Sequence, residues 1–154
     1  MFHVVLVEPE IPQNTGNVAR TCAATGAVLH LVHPLGFSVS DRYLKRAGLD
    51  YWHLVEVRHH RSFADLRRSY PESPFFFATT RMGRYHTEVH YPAGSFLVFG
   101  KETAGLPLDI LEANSETCVR LPKRAEARSL NLSNAVAVLL YEALRQHNFP
   151  DLKK

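Results

Sequence analysis

His3-Val4-Val5-Leu6-Val7, then Val18-Ala19-Arg20-Thr21-Cys22-Ala23-Ala24-Thr25, then Val28-Leu29-His30-Leu31-Val32 decide the fold of this chain. The first and third stretches are short β-branched runs, closed by Glu8-Pro9 and by Pro34 and Gly36, and they read as buried strands. The second is rich in small residues and stops at Gly26, as a helix does. Strand, helix, strand within about 30 residues is a βαβ unit, which implies parallel pairing. Between the first strand and the helix, Glu10-Ile11-Pro12-Gln13-Asn14-Thr15-Gly16-Asn17 reads as a loop punctuated by Pro and Gly.

Downstream the alternation continues. Residues 41–47 read as a short helix capped by Ser40 or Asp41, 54–57 as a strand, and 62–70 as an amphipathic helix ended by Pro71. Residues 75–80 read as a buried strand turning polar, 95–99 as a strand closed by Gly100, 108–112 as a short helix and 117–121 as the last strand. The final helix spans about 131–147, and residues 81–94 show no clear pattern. The expected architecture is α/β: a single domain over residues 1–154, with a mostly parallel sheet and helices on both faces.

Composition narrows the function. The apolar fraction of 45% is that of an ordinary globular protein, and no apolar run is long enough to span a membrane. Glu8 and Pro9 interrupt the N-terminal apolar run too early for a signal peptide. Cys22 and Cys118 have neither disulfide nor metal spacing, so a cytoplasmic protein with reduced thiols is expected. A net charge of +3 suits a nucleic-acid binder only where the charge is clustered.

Ligands of open parallel sheets bind beyond the carboxyl ends of the strands. Four loops should meet there: 8–17, 79–81, 100–105 and 121–129. Gly100 and Gly105 are spaced as in a phosphate loop, but Leu106-Pro107 stands where Lys-Ser/Thr is required. The glycines instead suit close backbone approach to a flat ligand, with Glu102 between them. The nine histidines are scattered, and no metal is expected. Arg20, beyond the Asn14–Asn17 loop, is placed to grip an anion at a helix start. Basic residues cluster at Arg42, Lys45 and Arg46, at Arg58, His59, His60 and Arg61, and at Lys123, Arg124 and Arg128. The last cluster borders Ser129-Leu130-Asn131-Leu132-Ser133-Asn134-Ala135, a stretch of cap-forming side chains at the mouth of the final helix. That helix is apolar on every side over residues 135–141, which leaves it either wedged in a core or covered by a second copy. The second is the expectation, with Leu140 and Tyr141 at the interface.

Three motifs carry a resemblance. Asn14-x-Gly16-Asn17-x-x-Arg20, Phe99-Gly100-x-Glu102-x-x-Gly105-Leu106-Pro107 and Ser129-Leu130-Asn131-Leu132-Ser133-x-Ala135 resemble those of the SPOUT superfamily of RNA methyltransferases. Glu8-Pro9-Glu10-Ile11-Pro12 and Arg46-Ala47-Gly48-Leu49-Asp50-Tyr51 are similar to the small tRNA (cytidine/uridine-2′-O)-methyltransferases that modify the wobble ribose. The resemblance implies a C-terminal trefoil knot, which neither composition nor periodicity indicates. It also implies a homodimer through the C-terminal helix, tRNA as substrate, and S-adenosylmethionine as cofactor with S-adenosylhomocysteine as product. Ala78, Thr79, Gly100, Glu102, Leu121, Ser129, Leu130 and Asn134 match cofactor-contacting positions. Arg20, Asn14, Glu102, Ser129 and Asn131 match the residues around the methyl acceptor, and the Arg42 and Lys123 clusters would bind RNA. Another RNA, such as ribosomal RNA, and a non-catalytic RNA-binding protein on the same fold are the alternatives.

Overall fold

The computed structural model describes residues 1–40, 42, 44, 46 and 51–154. Among these, seven strands form one parallel sheet in the order β3-β2-β1-β6-β4-β7-β5. They are β1 (His3–Val7), β2 (Val28–Val32), β3 (Val57–His60), β4 (Phe75–Ala78), β5 (Arg84–Tyr85), β6 (Phe96–Phe99) and β7 (Cys118–Arg120). The central strands are apolar on both faces because helices cover both. Helices α1 (Pro12–Thr25) and α4 (Leu132–Gln146) cover one face, burying Val18, Ala19, Cys22, Val136, Leu139 and Leu140 against Val4, Leu6, Leu29 and Leu97. Helices α2 (Phe63–Ser69) and α3 (Leu108–Ala113) cover the other, placing Leu66 and Leu111 beside Val5, Phe77 and Val98. No described helix is long and apolar enough to cross a membrane.

Two expected boundaries move. Helix α1 starts at Pro12, so Asn14, Thr15, Gly16 and Asn17 are helical rather than looped. Pro12 and Gly16 look like punctuation, but proline suits the first helical turn, and an internal glycine costs only about 1 kcal/mol. The 54–57 strand shifts to Val57–His60, after a 3₁₀ turn at Trp52–Leu54. An edge strand needs no continuous apolar run, so its half-exposed Arg and His residues hid it. Residues 81–94 contain β5 and a 3₁₀ turn at His86–Glu88. Arg42, Leu44 and Arg46 are helical as expected. Asp41, Tyr43, Lys45 and residues 47–50 lie outside the described residues.

The order of strands places the site. β7 comes last in sequence yet lies between β4 and β5, and β6 lies between β1 and β4. The ends of β1, β4, β6 and β7 therefore adjoin at one edge. Gly83 lies against β7 so closely that a Cβ there would come 2.3 Å from the Cys118 carbonyl oxygen.

Three imidazoles run diagonally across the sheet, from the start of β1 to the end of β3. His3 Nδ1 lies 2.9 Å from His30 Nε2, and His30 Nδ1 lies 2.9 Å from His60 Nε2. His30 is wholly buried, and burial holds it down to about 3; His3 is held down to about 4, also mainly by burial. An unfolded histidine takes its proton near pH 6.5, which these two cannot do while folded. The stability they contribute is thus fully present above pH 6.5 and is lost as pH falls towards 4 and 3. For His30 the slope is at most about 1.4 kcal/mol per pH unit. Thermal melts between pH 7.5 and 4.5 should show Tm falling, with a shallower fall in His30→Leu. A wild-type Tm flat over that range would contradict the buried neutral chain.

Candidate active site

A cavity of about 480 Å³ opens at the carboxyl edge of the sheet, within the range of small-molecule sites. All four expected loops line it: Ile11 and Asn14 after β1, Ala78 to Arg81 after β4, Gly100 to Leu106 after β6, and Leu121, Lys123, Ser129, Leu130 and Asn131 after β7. Val119, Ala135 and Leu139 add apolar wall. The lining mixes apolar side chains such as Val119 and Leu139 with polar ones such as Asn14, Thr79 and Asn131, which suits a ligand with a flat ring and a polar tail.

The loop after β6 is folded back on itself. The Gly105 N–H donates to the Lys101 carbonyl at 2.9 Å, and Gly105 has φ of 68°, a left-handed conformation natural to glycine. A Cβ on Gly100 would lie 2.0 Å from the Gly105 carbonyl carbon and 2.2 Å from the Leu106 nitrogen. Backbone cannot yield there cheaply. Gly100→Ala is expected to destabilise by about 1–3 kcal/mol through overpacking. It should also deform the cavity floor, which a urea melt and a ligand titration would report together. Wild-type stability in Gly100→Ala would contradict the tight turn.

Helix α1 has no side-chain cap of its own at Ile11, and Glu102 supplies one from the loop after β6. Its carboxylate accepts from the Glu10 N–H at 2.9 Å, the Ile11 N–H at 2.6 Å and the Asn14 side-chain amide at 3.2 Å. An anion at a helix N-terminus is favoured by the peptide dipoles. Glu10 reciprocates: its carboxylate accepts from the Thr103 N–H at 3.0 Å and the Thr103 hydroxyl at 2.7 Å. The Thr103 hydroxyl and amide hold the Glu10 carboxyl below its usual range. From Glu102 the chain of bonds continues, for the Asn131 amide donates to Asn14 Oδ1 at 3.0 Å. Asn131 Oδ1 in turn accepts from Ser133 N–H at 2.9 Å and caps α4. One polar chain thus ties the starts of α1 and α4 to the glycine loop. Asn131, rather than Ser129, is the cap.

Asn14, Glu102, Ser129 and Asn131 therefore meet, as do Ala78, Thr79, Gly100, Leu121 and Leu130. Asn134 does not line the cavity; it is exposed on the first turn of α4. Arg20 also stands apart. It is well inside α1 rather than at its start, exposed, with its guanidinium 4.7 Å from the centre of the Tyr51 ring. The helix-start reading of Arg20 fails because α1 begins earlier. Arg42, Arg46 and Arg128 are exposed, and Arg124 faces Glu126 at 3.9 Å. Lys123 lines the cavity and donates to the Ala127 carbonyl at 2.9 Å. Glu10 and Thr103 were not expected. The only signal was that Glu10 lies within Glu8-Pro9-Glu10-Ile11-Pro12, where loop acids usually face solvent.

Residues 1–141 match the SpoU rRNA Methylase family. A Burkholderia ambifaria protein named tRNA (cytidine(34)-2′-O)-methyltransferase is 52% identical, over 97% of this chain and 97% of its own. A solved structure described as addressing 2-OH methylation of C/U34 on tRNA superposes with a TM-score of 0.91 at 46% identity, covering 96% of this chain and 97% of that one. The SpoU methyltransferase AviRb of Streptomyces viridochromogenes, solved with AdoMet, shares the fold with a TM-score of 0.82 at 24% identity. It matches over 95% of this chain and 60% of its own length.

Proposed function

The chain belongs to the SpoU methylase family, and on that premise we propose that it methylates the ribose 2′-oxygen of the tRNA wobble nucleotide, cytidine or modified uridine at position 34. The observation that carries this reading is the meeting of Asn14, Glu102, Ser129 and Asn131 on one glycine-floored cavity, in a chain similar over nearly its whole length to enzymes of that name. Relatives of matching span favour tRNA over ribosomal RNA.

The cavity suits S-adenosylmethionine, because apolar Val119, Ala135 and Leu139 line it together with the glycine loop and the polar Asn14, Thr79 and Asn131. Bound there, the cofactor supplies a methyl group already activated on sulfonium, so no metal is required. Ala78, Thr79, Gly100, Leu121, Ser129 and Leu130 would hold it, with Asn134 at the rim. Asn14 and Asn131, locked by Glu102, would orient the ribose hydroxyl in line with the methyl carbon. Arg20 would hold the adjacent phosphate and stabilise the developing alkoxide; guanidinium hardly deprotonates, so it is a poor base. Exposed Arg42, Arg46, Arg124 and Arg128, with Lys45, would bind the RNA backbone.

A homodimer and a knotted C-terminal segment complete the reading. Val138 and Tyr141, one turn apart on α4, are exposed apolar side chains, whereas Leu140 is 0% exposed and belongs to the core. The interface residues are therefore Val138 and Tyr141, not Leu140. The insertion of β7 between β4 and β5 supports a threaded C-terminal segment. S-adenosylmethionine should raise Tm in excess chelator, by mass action. Labelled methyl should pass from it to total tRNA. Binding abolished by chelation would contradict the metal-free cavity, and transfer to ribosomal RNA alone would contradict the substrate.

A further inference from the structure

A second hollow, of about 320 Å³, is lined by His33, His59, His60 and Arg61. Every one of these side chains is a cation or can become one, and no carboxylate lines the hollow. His33 follows β2 directly, and its N–H donates to the His60 carbonyl at 2.9 Å. His33 Nε2 then lies 2.8 Å from His59 Nδ1. Arg61 is 97% exposed and faces Asp65 only at 3.7 Å, while Asp65 also pairs with Arg68.

The position matters as much as the composition. The hollow lies at the carboxyl ends of β2 and β3, the same sheet edge as the methyl-transfer cavity. β2 is two strand steps from β6, about 10 Å. A polymer running along this edge from the cavity would cross it.

The chemistry favours an anion. Two neutral imidazoles 2.8 Å apart share one hydrogen, one nitrogen donating and the other accepting. A single added proton leaves that bond intact and gives the pair a positive charge with a free N–H. Burial, then the neighbouring His33, holds His59 below its ordinary value. Burial, then Arg58 and His59, does the same for His60, whose Nε2 already meets His30. The groups facing the pair are therefore His60 and Arg61, with Arg58 and His30 behind His60 and Asp65 beyond Arg61. An anion in the hollow would reverse the mutual repulsion. A metal does not fit, because among the described residues no group of three His, Cys, Asp or Glu side chains gathers to hold one.

We infer that the His33–His59 pair with Arg61 is a phosphodiester-binding subsite that grips the RNA backbone beside the methylated nucleotide and takes up a proton as it does so. The inference rests on the tRNA reading above and adds a site to it. Filter binding of tRNA at pH 6 and pH 8, over a series of salt concentrations, tests it. Wild-type affinity should rise about fivefold more than that of His33→Gln/His59→Gln between pH 8 and pH 6. The salt slope of the double variant should be shallower by about one phosphate contact. Arg61→Ala, at an exposed position where misfolding is not at issue, should show the same loss of slope. Wild-type affinity, pH response and salt slope in both variants would overturn the subsite. Methyl transfer, measured separately, reports on the function itself: a protein that binds tRNA through this pair but never methylates it would overturn that reading and leave the subsite standing.

Discussion

Arg20→Ala is expected to lower kcat for tRNA methylation by about 10²–10³-fold, or ~2.7–4 kcal/mol, the scale of a lost donor to developing negative charge. Affinity for S-adenosylmethionine should scarcely change, since Arg20 does not line the cavity of its own chain. That separation has a geometric consequence. Arg20 projects from α1, which packs beside α4, and the exposed Val138 and Tyr141 of α4 mark the proposed dimer face. An Arg20 that acts on the reaction must then reach the cavity of the partner protomer. Mixing two inactive variants reads this directly. Arg20→Ala keeps an intact cavity, and Glu102→Ala keeps an intact Arg20 while losing the acceptor for Glu10, Ile11 and Asn14. Dimers containing one of each rebuild one complete site, and an equal mixture should recover about a quarter of wild-type activity. No recovery would contradict a site shared between protomers, and an Arg20→Ala enzyme with wild-type single-turnover rate at saturating tRNA would remove Arg20 from the reaction.

Tyr141→Asp should convert the proposed dimer to monomer and abolish methylation with it. Tyr141 is 44% exposed in the single chain, as is Val138 one turn away. Large apolar side chains left open on one helix face mark an association surface. A carboxylate placed there would be desolvated without a partner on dimer formation, and the penalty applies twice across a two-fold axis. Sedimentation at micromolar concentration measures the outcome. Leu140→Asp makes a poor substitute, because it would bury a charge in the core and unfold the chain. A wild-type monomer with full activity would contradict both the interface and the shared site.

Much of this architecture was legible in the residues. The βαβ start, the parallel sheet and the convergence of four loops follow from apolar runs and from the rule that ligands sit beyond strand ends. The capping role of Asn131 was visible only as membership of a stretch of cap-forming side chains at the mouth of the final helix. Three things were not. The start of α1 was masked by Pro12 and Gly16, which favour turns locally but are tolerated once Glu102 supplies a cap from far along the chain. β3 was expected three residues too early because an edge strand carrying Arg58, His59 and His60 has no apolar signature. Leu140 and Tyr141 are neighbours in an unbroken apolar run, and only their angular positions on α4 separate core from open face.

The most direct test of the central claim uses a defined tRNA carrying either ribose or 2′-deoxyribose at position 34, with labelled S-adenosylmethionine and nucleoside mapping of the product. Label should appear as a 2′-O-methylated nucleoside at position 34 of the ribose substrate and nowhere in the deoxyribose one. Label retained in the 2′-deoxy-34 tRNA, or mapped to a base or another position, would contradict the account.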